Sequence, residues 1–373
     1  MQQFLFASAQ GNDAATLVGD CMEQIAELPA EANLGFLYAT DQLADQLQAI
    51  LTRLQHEIPA VQWVGTVGMG ICSNFKEIYD RPALALMIGC FARDSFRILP
   101  NFAGDPATLP QELADWHRNQ GFSFALLHGD PSNPQTASWL DGLADAETFD
   151  FINGGLTSSG SSNPQLAGGL TSGGISGVLF NEQVAISTDH TQGCSPIGPV
   201  HQVTRAERNI AFTLDQRPAL EVMKQDVGEV LAKDLSRLGG YIFAALPIAE
   251  SDTGDYLVRQ LLGFDPERQL VAVGDMLEKQ DRLMFCRRDG NTAQEDMQRM
   301  LERLSRRTGE RQIRGGIYIS CLGRGRYQFG ENSEELEMIR QQLGDFPLVG
   351  FFANGEIYNG RLYGYTGVLT LFL

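Results

Sequence analysis

The sequence predicts an α/β to α+β protein: layered mixed sheets with helices, built from repeated strand–helix–strand–strand units in two halves. Apolar runs of strand length alternate with helix-compatible stretches along the chain. A glycine spacing recurs as well: Val64-Gly65 leads to Gly70, Val349-Gly350 leads to Gly355, and Asn153-Gly154-Gly155 leads to Gly160. Each such corner follows an apolar run (residues 34–39, 122–127 and 317–321) and precedes another (83–90, 175–180 and 368–373). Self-similarity of this kind reads as one structural unit used three times. Glycine belongs at such corners because it accepts backbone angles that other residues avoid.

The elements follow in order. Leu43, Leu47, Ile50, Leu51 and Leu54 recur at helical spacing, with Asp41 placed to cap the helix. Residues 82–90 read as a strand buried on both faces. Residues 95–119 are mixed in character and join the first unit to the second, with a helix around 111–117. The Ser- and Gly-rich stretch 157–174 reads as a loop or hairpin turn. After a short strand at 184–187, residues 188–199 hold too many glycines and prolines for regular structure. A strand at 209–214 precedes Pro218, which suits a first helical turn. A domain boundary falls there, giving domains 1–217 and 218–373. Strands at 239–246, 270–273 and 283–286 come next, then an amphipathic helix over 294–306 with Met297, Met300, Leu301 and Leu304 on one side.

With 373 residues, 43% of them hydrophobic, the chain is long enough for two cores. A net charge of −18 argues against nucleic acid and against an anionic membrane surface, both of which select basic proteins. The six cysteines show no Cys-x-x-Cys spacing and no zinc-like interval to histidine. The start lacks a basic leader, and no run approaches the ~18 apolar residues of a membrane span. The expectation is a cytoplasmic protein with reduced thiols and no cofactor.

Several blocks, in order, resemble the FIST family (F-box and intracellular signal transduction proteins), which has an N-terminal and a C-terminal part. They are residues 192–199 with 203–207, 217–221, 254–259 with 263–265, 287–289, 321–326, and 350–357 with 364–366. The chain departs from the family pattern at Ser195 and Arg288. The resemblance implies a sensory module that binds small ligands, amino acids among them, in signal transduction, and it brings no catalytic mechanism. With no kinase, cyclase or F-box segment beside the sensor blocks, it implies a separate signalling protein as partner.

The candidate ligand residues are Cys194, Pro196, Gly198, Arg205, Arg287, Cys321, Arg324, Gly325, Arg326, Asn354, Gly355 and Glu356. Arg324 and Arg326 flank Gly325 at a strand end, where a guanidinium fork matches a carboxylate. Glu356 would accept from an ammonium group, and an internal Arg–Glu pair is the competing reading. A strand-end arginine carries little core, so Arg324→Ala is expected to leave the fold intact. Asn153 and Asn354 suit turns as well as ligand contact. Cys194 and Cys321 lie in glycine-bounded turns, where His190 or Arg324 would activate a thiol; the alternative is a small apolar filler.

The leading expectation is a sensor that binds a small polar metabolite, an amino acid being one candidate, in a pocket between the two halves. The first rival is a cysteine-dependent hydrolase or transferase using Cys194 or Cys321. The second is a protein-interaction scaffold with no small ligand.

Overall fold

A computed structural model of the chain describes residues 4–25, 27–105, 108–119, 121–145, 149–228, 239–248 and 255–373. Gly254, part of one family block, lies outside the described residues. The chain forms two compact units: Met1–Thr191 with Met297–Leu373, and Gln192–Asp296. The boundary expected near Pro218 falls inside the second unit, at the start of the helix Ala219–Val227.

The first unit holds three six-stranded sheets. At the centre of each is a parallel pair: Leu34–Thr40 with Gln62–Gly68, Ser123–Gly129 with Phe151–Leu156, and Gly315–Cys321 with Leu348–Ala353. Parallel neighbours need a crossover, and a helix supplies it in each case: Leu47–Glu57, Thr136–Asp145 and Glu334–Leu343. A hairpin from elsewhere in the chain completes one side of each sheet. Gln165–Ala167 pairs with Gln62–Gly68, Glu356–Tyr358 with Phe151–Leu156, and Gly70–Ser73 with Leu348–Ala353.

The hydrophobic core joins side chains from all three sheets. The ring of Phe372 lies 5.6 Å from both Phe36 and Phe180, and 5.8 Å from Phe91. Strands such as Leu34–Thr40 and Ala83–Gly89 are buried along their whole length, which is why they read as continuous apolar runs.

Gly65, Gly154 and Gly350 stand inside strands, not at corners. A Cβ on Gly65 would lie 1.7 Å from the Leu37 carbonyl oxygen, one on Gly154 1.8 Å from that of Leu127, and one on Gly350 1.7 Å from that of Tyr318. Close approach of the parallel neighbour, rather than a tight turn, demands glycine there.

Three other local expectations change. Asp41 does not cap a helix: it opens the 3₁₀ turn Asp41–Gln46, and its carboxylate accepts from the Gly160 amide at 3.1 Å. The mixed stretch after residue 95 contains the strand Phe96–Phe102, which tolerates Pro100 because it sits at a sheet edge. The polar run Thr188–Gln192 belongs to the strand Ile186–Gln192. Its buried Asp189 is held by Arg303 (2.8 and 3.1 Å) and Arg307 (2.7 Å), from a helix more than a hundred residues away. That helix runs Gly290–Thr308, and Met297, Met300, Leu301 and Leu304 are all fully buried.

The second unit is an antiparallel ring. From Arg282–Arg288 the ladder passes through His201–Glu207, Ile210–Leu214, Leu270–Val273, Tyr256–Asp265 and Ile242–Pro247, then returns to Arg282–Arg288. Closure leaves no open edge among these strands. The core includes Val203, Leu214, Val271 and Phe285, with Leu220 and Met223 of the helix Ala219–Val227 packed into it. Among the described residues, no helix is long and apolar enough to cross a membrane.

Candidate functional site

A concave site lined by charged and tyrosine side chains lies on the first unit, where the hairpin Gly70–Tyr79 meets the 3₁₀ turn Gly325–Tyr327. It is a depression of 360 Å³ lined by Glu77, Tyr79, Arg81, Arg326, Tyr327 and Glu331. The hairpin turns through Asn74 and Phe75, both with positive φ, as a two-residue turn of this hand requires. Glu77 and Tyr79 share one face of the strand Lys76–Tyr79, because side chains alternate along a strand. Asp80, at φ 58°, then turns the chain to Arg81.

Gly325 shapes the floor. Its φ is 53°, and a Cβ there would lie 2.2 Å from the Tyr79 hydroxyl and 2.7 Å from Glu77 Oε2. Both the backbone angle and the two side chains therefore exclude any larger residue. The Gly325 amide donates to Glu335 Oε2 at 2.8 Å, so the turn is fixed from below.

Beneath the floor is a buried ion pair. Arg324 and Glu335 are both fully buried, with Arg324 Nε donating to Glu335 Oε1 at 2.7 Å and Nη2 at 2.7 Å from the same oxygen. Tyr318 donates its hydroxyl to Oε1 at 2.7 Å, and Ser320 donates to the same carboxylate at 3.2–3.3 Å. Glu335 lies in the first turn of the helix Glu334–Leu343, where the helix dipole favours negative charge. Burial acts to lower the pKa of Arg324, but the Glu335 charge overrides it and holds the guanidinium ionised. The expectation that Arg324 carries little core is therefore overturned. It is among the largest fully buried side chains, and its guanidinium lies 4.9 Å over Phe329.

Arg326 behaves differently. Its guanidinium carbon stands 4.4 Å from the Tyr79 ring and 4.9 Å from the Tyr327 ring. Its Nη1 donates to Asp80 at 2.6 Å and its Nη2 to the Tyr327 hydroxyl at 2.8 Å. Burial and the nearby Glu335 push the Glu77 carboxyl up to about 8, so at neutral pH it is largely protonated. Glu77 Oε2 accepts from Tyr79 at 3.0 Å, while Oε1 is buried without a partner.

Glu356 lies fully buried in the hairpin strand Glu356–Tyr358. Its Oε2 accepts from the Thr366 amide at 3.0 Å and the Thr366 hydroxyl at 2.8 Å, and its Oε1 has no partner. Burial pushes this carboxyl up to about 8. Glu356 does not take the hydrogen bonds of the Arg324 fork, which go to Glu335. Burial and the neighbouring Glu356 raise the Cys321 thiol, which disfavours the thiolate that nucleophilic chemistry needs. Asn354 is exposed, and Gly355 turns the hairpin at φ 130°.

The remaining sequence candidates belong to the second unit. Cys194 is buried, opposite Arg288 in the pairing of Cys194–Pro196 with Arg282–Arg288, and Pro196 faces Cys286. The Tyr256 hydroxyl donates to the Cys194 carbonyl at 2.6 Å. A Cβ on Gly198 would lie 2.5 Å from the Asp226 carboxylate. That carboxylate is 2.8 Å from His201 Nε2, while Asp215 is 2.6 Å from Nδ1. Arg205 stacks 4.6 Å over Phe212, and Arg287 pairs with Asp289 at 3.3 Å.

Of the twelve expected residues, the depression includes Arg326 in its lining, with Gly325 and Arg324 directly behind. Sequence reasoning missed Glu77, Tyr79, Arg81, Tyr327, Glu331 and Glu335. The alternation of Glu77 and Tyr79 was readable, but nothing local connects them to a turn some 250 residues later. Among the described residues, no three His, Cys, Asp or Glu side chains gather as a metal ion would require.

Comparison with known proteins decides the family. The FIST N domain matches residues 33–217 and the FIST C domain matches residues 219–359. The chain belongs to the FIST family. FIST domains are generally described as sensory domains of signal transduction. An uncharacterized protein of Mycobacterium tuberculosis is 27% identical over 356 residues, covering 91% of this chain and 90% of that protein. An uncharacterized protein of Mycobacterium bovis is 29% identical over 399 residues, covering 96% and 95%.

Proposed function

We propose that this FIST protein is a cytoplasmic small-ligand sensor that binds a polar metabolite of amino-acid type in the depression at Arg326 and signals through a separate protein. The observation that carries the reading is the lining itself. Arg81 and Arg326 offer donors for a carboxylate, Glu77 and Glu331 offer acceptors for an ammonium group, and two tyrosines supply apolar walls. A volume of 360 Å³ suits a small molecule. The fixed floor of Gly325, Arg324 and Glu335 is what a pre-organised site needs. All six cysteines are free, which fits a reducing compartment.

We also read the three sheets of the first unit as copies of one unit. In support, Gly65, Gly154 and Gly350 hold the same register against a parallel neighbour. The cysteine-enzyme reading is not favoured, because burial raises Cys321 and encloses Cys194.

The test is a thermal-shift screen of amino acids and related metabolites. A ligand at ~100 times its dissociation constant adds about 2.7 kcal/mol of stability. Arg81 and Glu331 are exposed, so the double variant Arg81→Ala/Glu331→Ala should melt like the parent without ligand. It should lose about 1.5–3 kcal/mol of binding for each charge-assisted hydrogen bond removed. A hit whose affinity is unchanged in the double variant would move the site elsewhere.

A further inference from the structure

We propose that the tyrosine cage around Arg326 is a recognition site for an organic cation, a guanidinium or alkylammonium head group, and that Arg326 is a resident stand-in for it. This rests on the reading above that the depression is the ligand site, and it assigns the class of ligand.

The geometry has the form of a cation site that is already filled. Tyr79 and Tyr327 present their rings at 64° with centroids 6.4 Å apart, and the Arg326 guanidinium lies within 5 Å of both. Cations are held over aromatic faces by the ring quadrupole, and cages of two or more rings with nearby carboxylates recognise alkylated ammonium and guanidinium groups. Here the carboxyl groups are Asp80, bonded to Arg326 Nη1, together with Glu77 and Glu331 in the lining.

Two features make the occupant replaceable. Its ion pair with Asp80 is a surface one, the Asp80 side chain being 72% exposed, and such pairs contribute little. Its second ring, Tyr327, is itself 62% exposed, so the cage is closed only by the rim residue that stacks on the guanidinium. Arg324 makes the contrast, since its guanidinium is fully buried, paired with Glu335 and stacked over Phe329.

A third feature points to a ligand. Glu77 Oε1 is buried at the floor without a hydrogen-bond partner, although Oε2 is satisfied by Tyr79. A cationic N–H group entering the cage supplies the missing donor, and the raised proton affinity of Glu77 means that its binding releases a proton. Groups facing Glu77 are Tyr79 on its own strand, Cys72 opposite on the paired strand Gly70–Ser73, the Arg326 amide, Glu335 beneath and Glu334 nearby. A ligand cation that takes the cage frees Arg326 and leaves it, with Arg81, beside any carboxylate at the ligand's other end. Basic amino acids and their decarboxylated amines are the class that matches.

The experiment is calorimetric titration of agmatine, which carries a guanidinium and an ammonium but no carboxylate, into the full chain. Vacating the cage with Arg326→Ala should tighten agmatine binding at least tenfold. Adding Tyr327→Ala should cancel that gain. Agmatine binding to the parent should also tighten as pH rises from 6 to 8. Should Arg326→Ala fail to fold by circular dichroism, Arg326→Gln, which keeps the stem and drops the charge, replaces it. Agmatine binding that is equal or weaker in the vacated cage overturns the proposal. Two results separate this failure from that of the sensor reading. An amino acid that binds the parent and needs Arg81 and Glu331, with no agmatine gain in Arg326→Ala, sinks the stand-in and keeps the sensor. An agmatine gain with no amino-acid ligand for the parent does the reverse.

Discussion

Replacing Arg324 with alanine tests the role of the buried pair most directly. Arg324 and Glu335 have no exposed side-chain surface, so the substitution leaves a carboxylate in the interior without its countercharge. Breaking a buried pair by removing one partner destabilises by about 3–5 kcal/mol. The donors that remain to Glu335, from Tyr318, Ser320 and the Gly325 amide, pull the effect toward the lower end of that range. The space left beside Phe329 pushes it up. For a unit of this size each kcal/mol shifts the melting temperature by about 2–4 °C, so a fall of roughly 6–20 °C is expected. Urea unfolding followed by tryptophan fluorescence suits the purpose, because all three tryptophans, Trp63, Trp116 and Trp139, lie in the first unit. The paired change Arg324→Met/Glu335→Gln removes both charges while leaving an amide oxygen to accept from Tyr318, Ser320 and the Gly325 amide, and it should recover most of the loss. A single variant within about 1 kcal/mol of the parent would refute the reasoning. So would a double variant as unstable as the single.

Two further predictions concern protons. Glu356 titrates near 4.5 when unfolded and about 8 when folded, so across that window the folded state holds a proton that the unfolded chain has released. Stability of the first unit should therefore fall as pH rises through the window, and Glu356→Gln should flatten its share of the slope. An unchanged slope would show that the carboxyl is ionised in the folded state. In the second unit, burial acts to lower the His201 pKa, but hydrogen bonds to Asp215 and Asp226 prevail and raise it above 6.5. Its stabilisation is then fully present below pH 6.5 and is lost as pH rises through the folded value. An NMR titration of the imidazole should give a midpoint above 6.5, and a lower midpoint would break the clamp argument.

The strands were legible because their signal is local. Residues 34–39, 83–90 and, apart from Ser320, 317–321 are apolar runs, since each lies in a sheet covered on both faces, and the structure places strands there. Met297, Met300, Leu301 and Leu304 announced their helix by spacing alone. The strand Ile186–Gln192 was not legible beyond residue 187, because what buries Asp189 is Arg303 and Arg307 from a distant helix. The glycine offsets were visible, yet their reason was not. A sequence shows matching offsets after Gly65 and Gly350, but not that a neighbouring carbonyl would stand 1.7 Å from any side chain at either position.

By itself the sequence determined the class of fold and the family, because apolar runs and ordered blocks are properties of short stretches. Tertiary structure alone decided which charges meet. Arg324 took Glu335 rather than Glu356, because the crossover helix Glu334–Leu343 brings Glu335 against Ser320 and Tyr318 of the adjoining strand. Arg326 took Asp80 and two tyrosines, because a hairpin from the start of the chain pairs with Leu348–Ala353 near its end. The partners of these two arginines follow from which elements lie side by side, and for Arg326 those elements come from opposite ends of the chain.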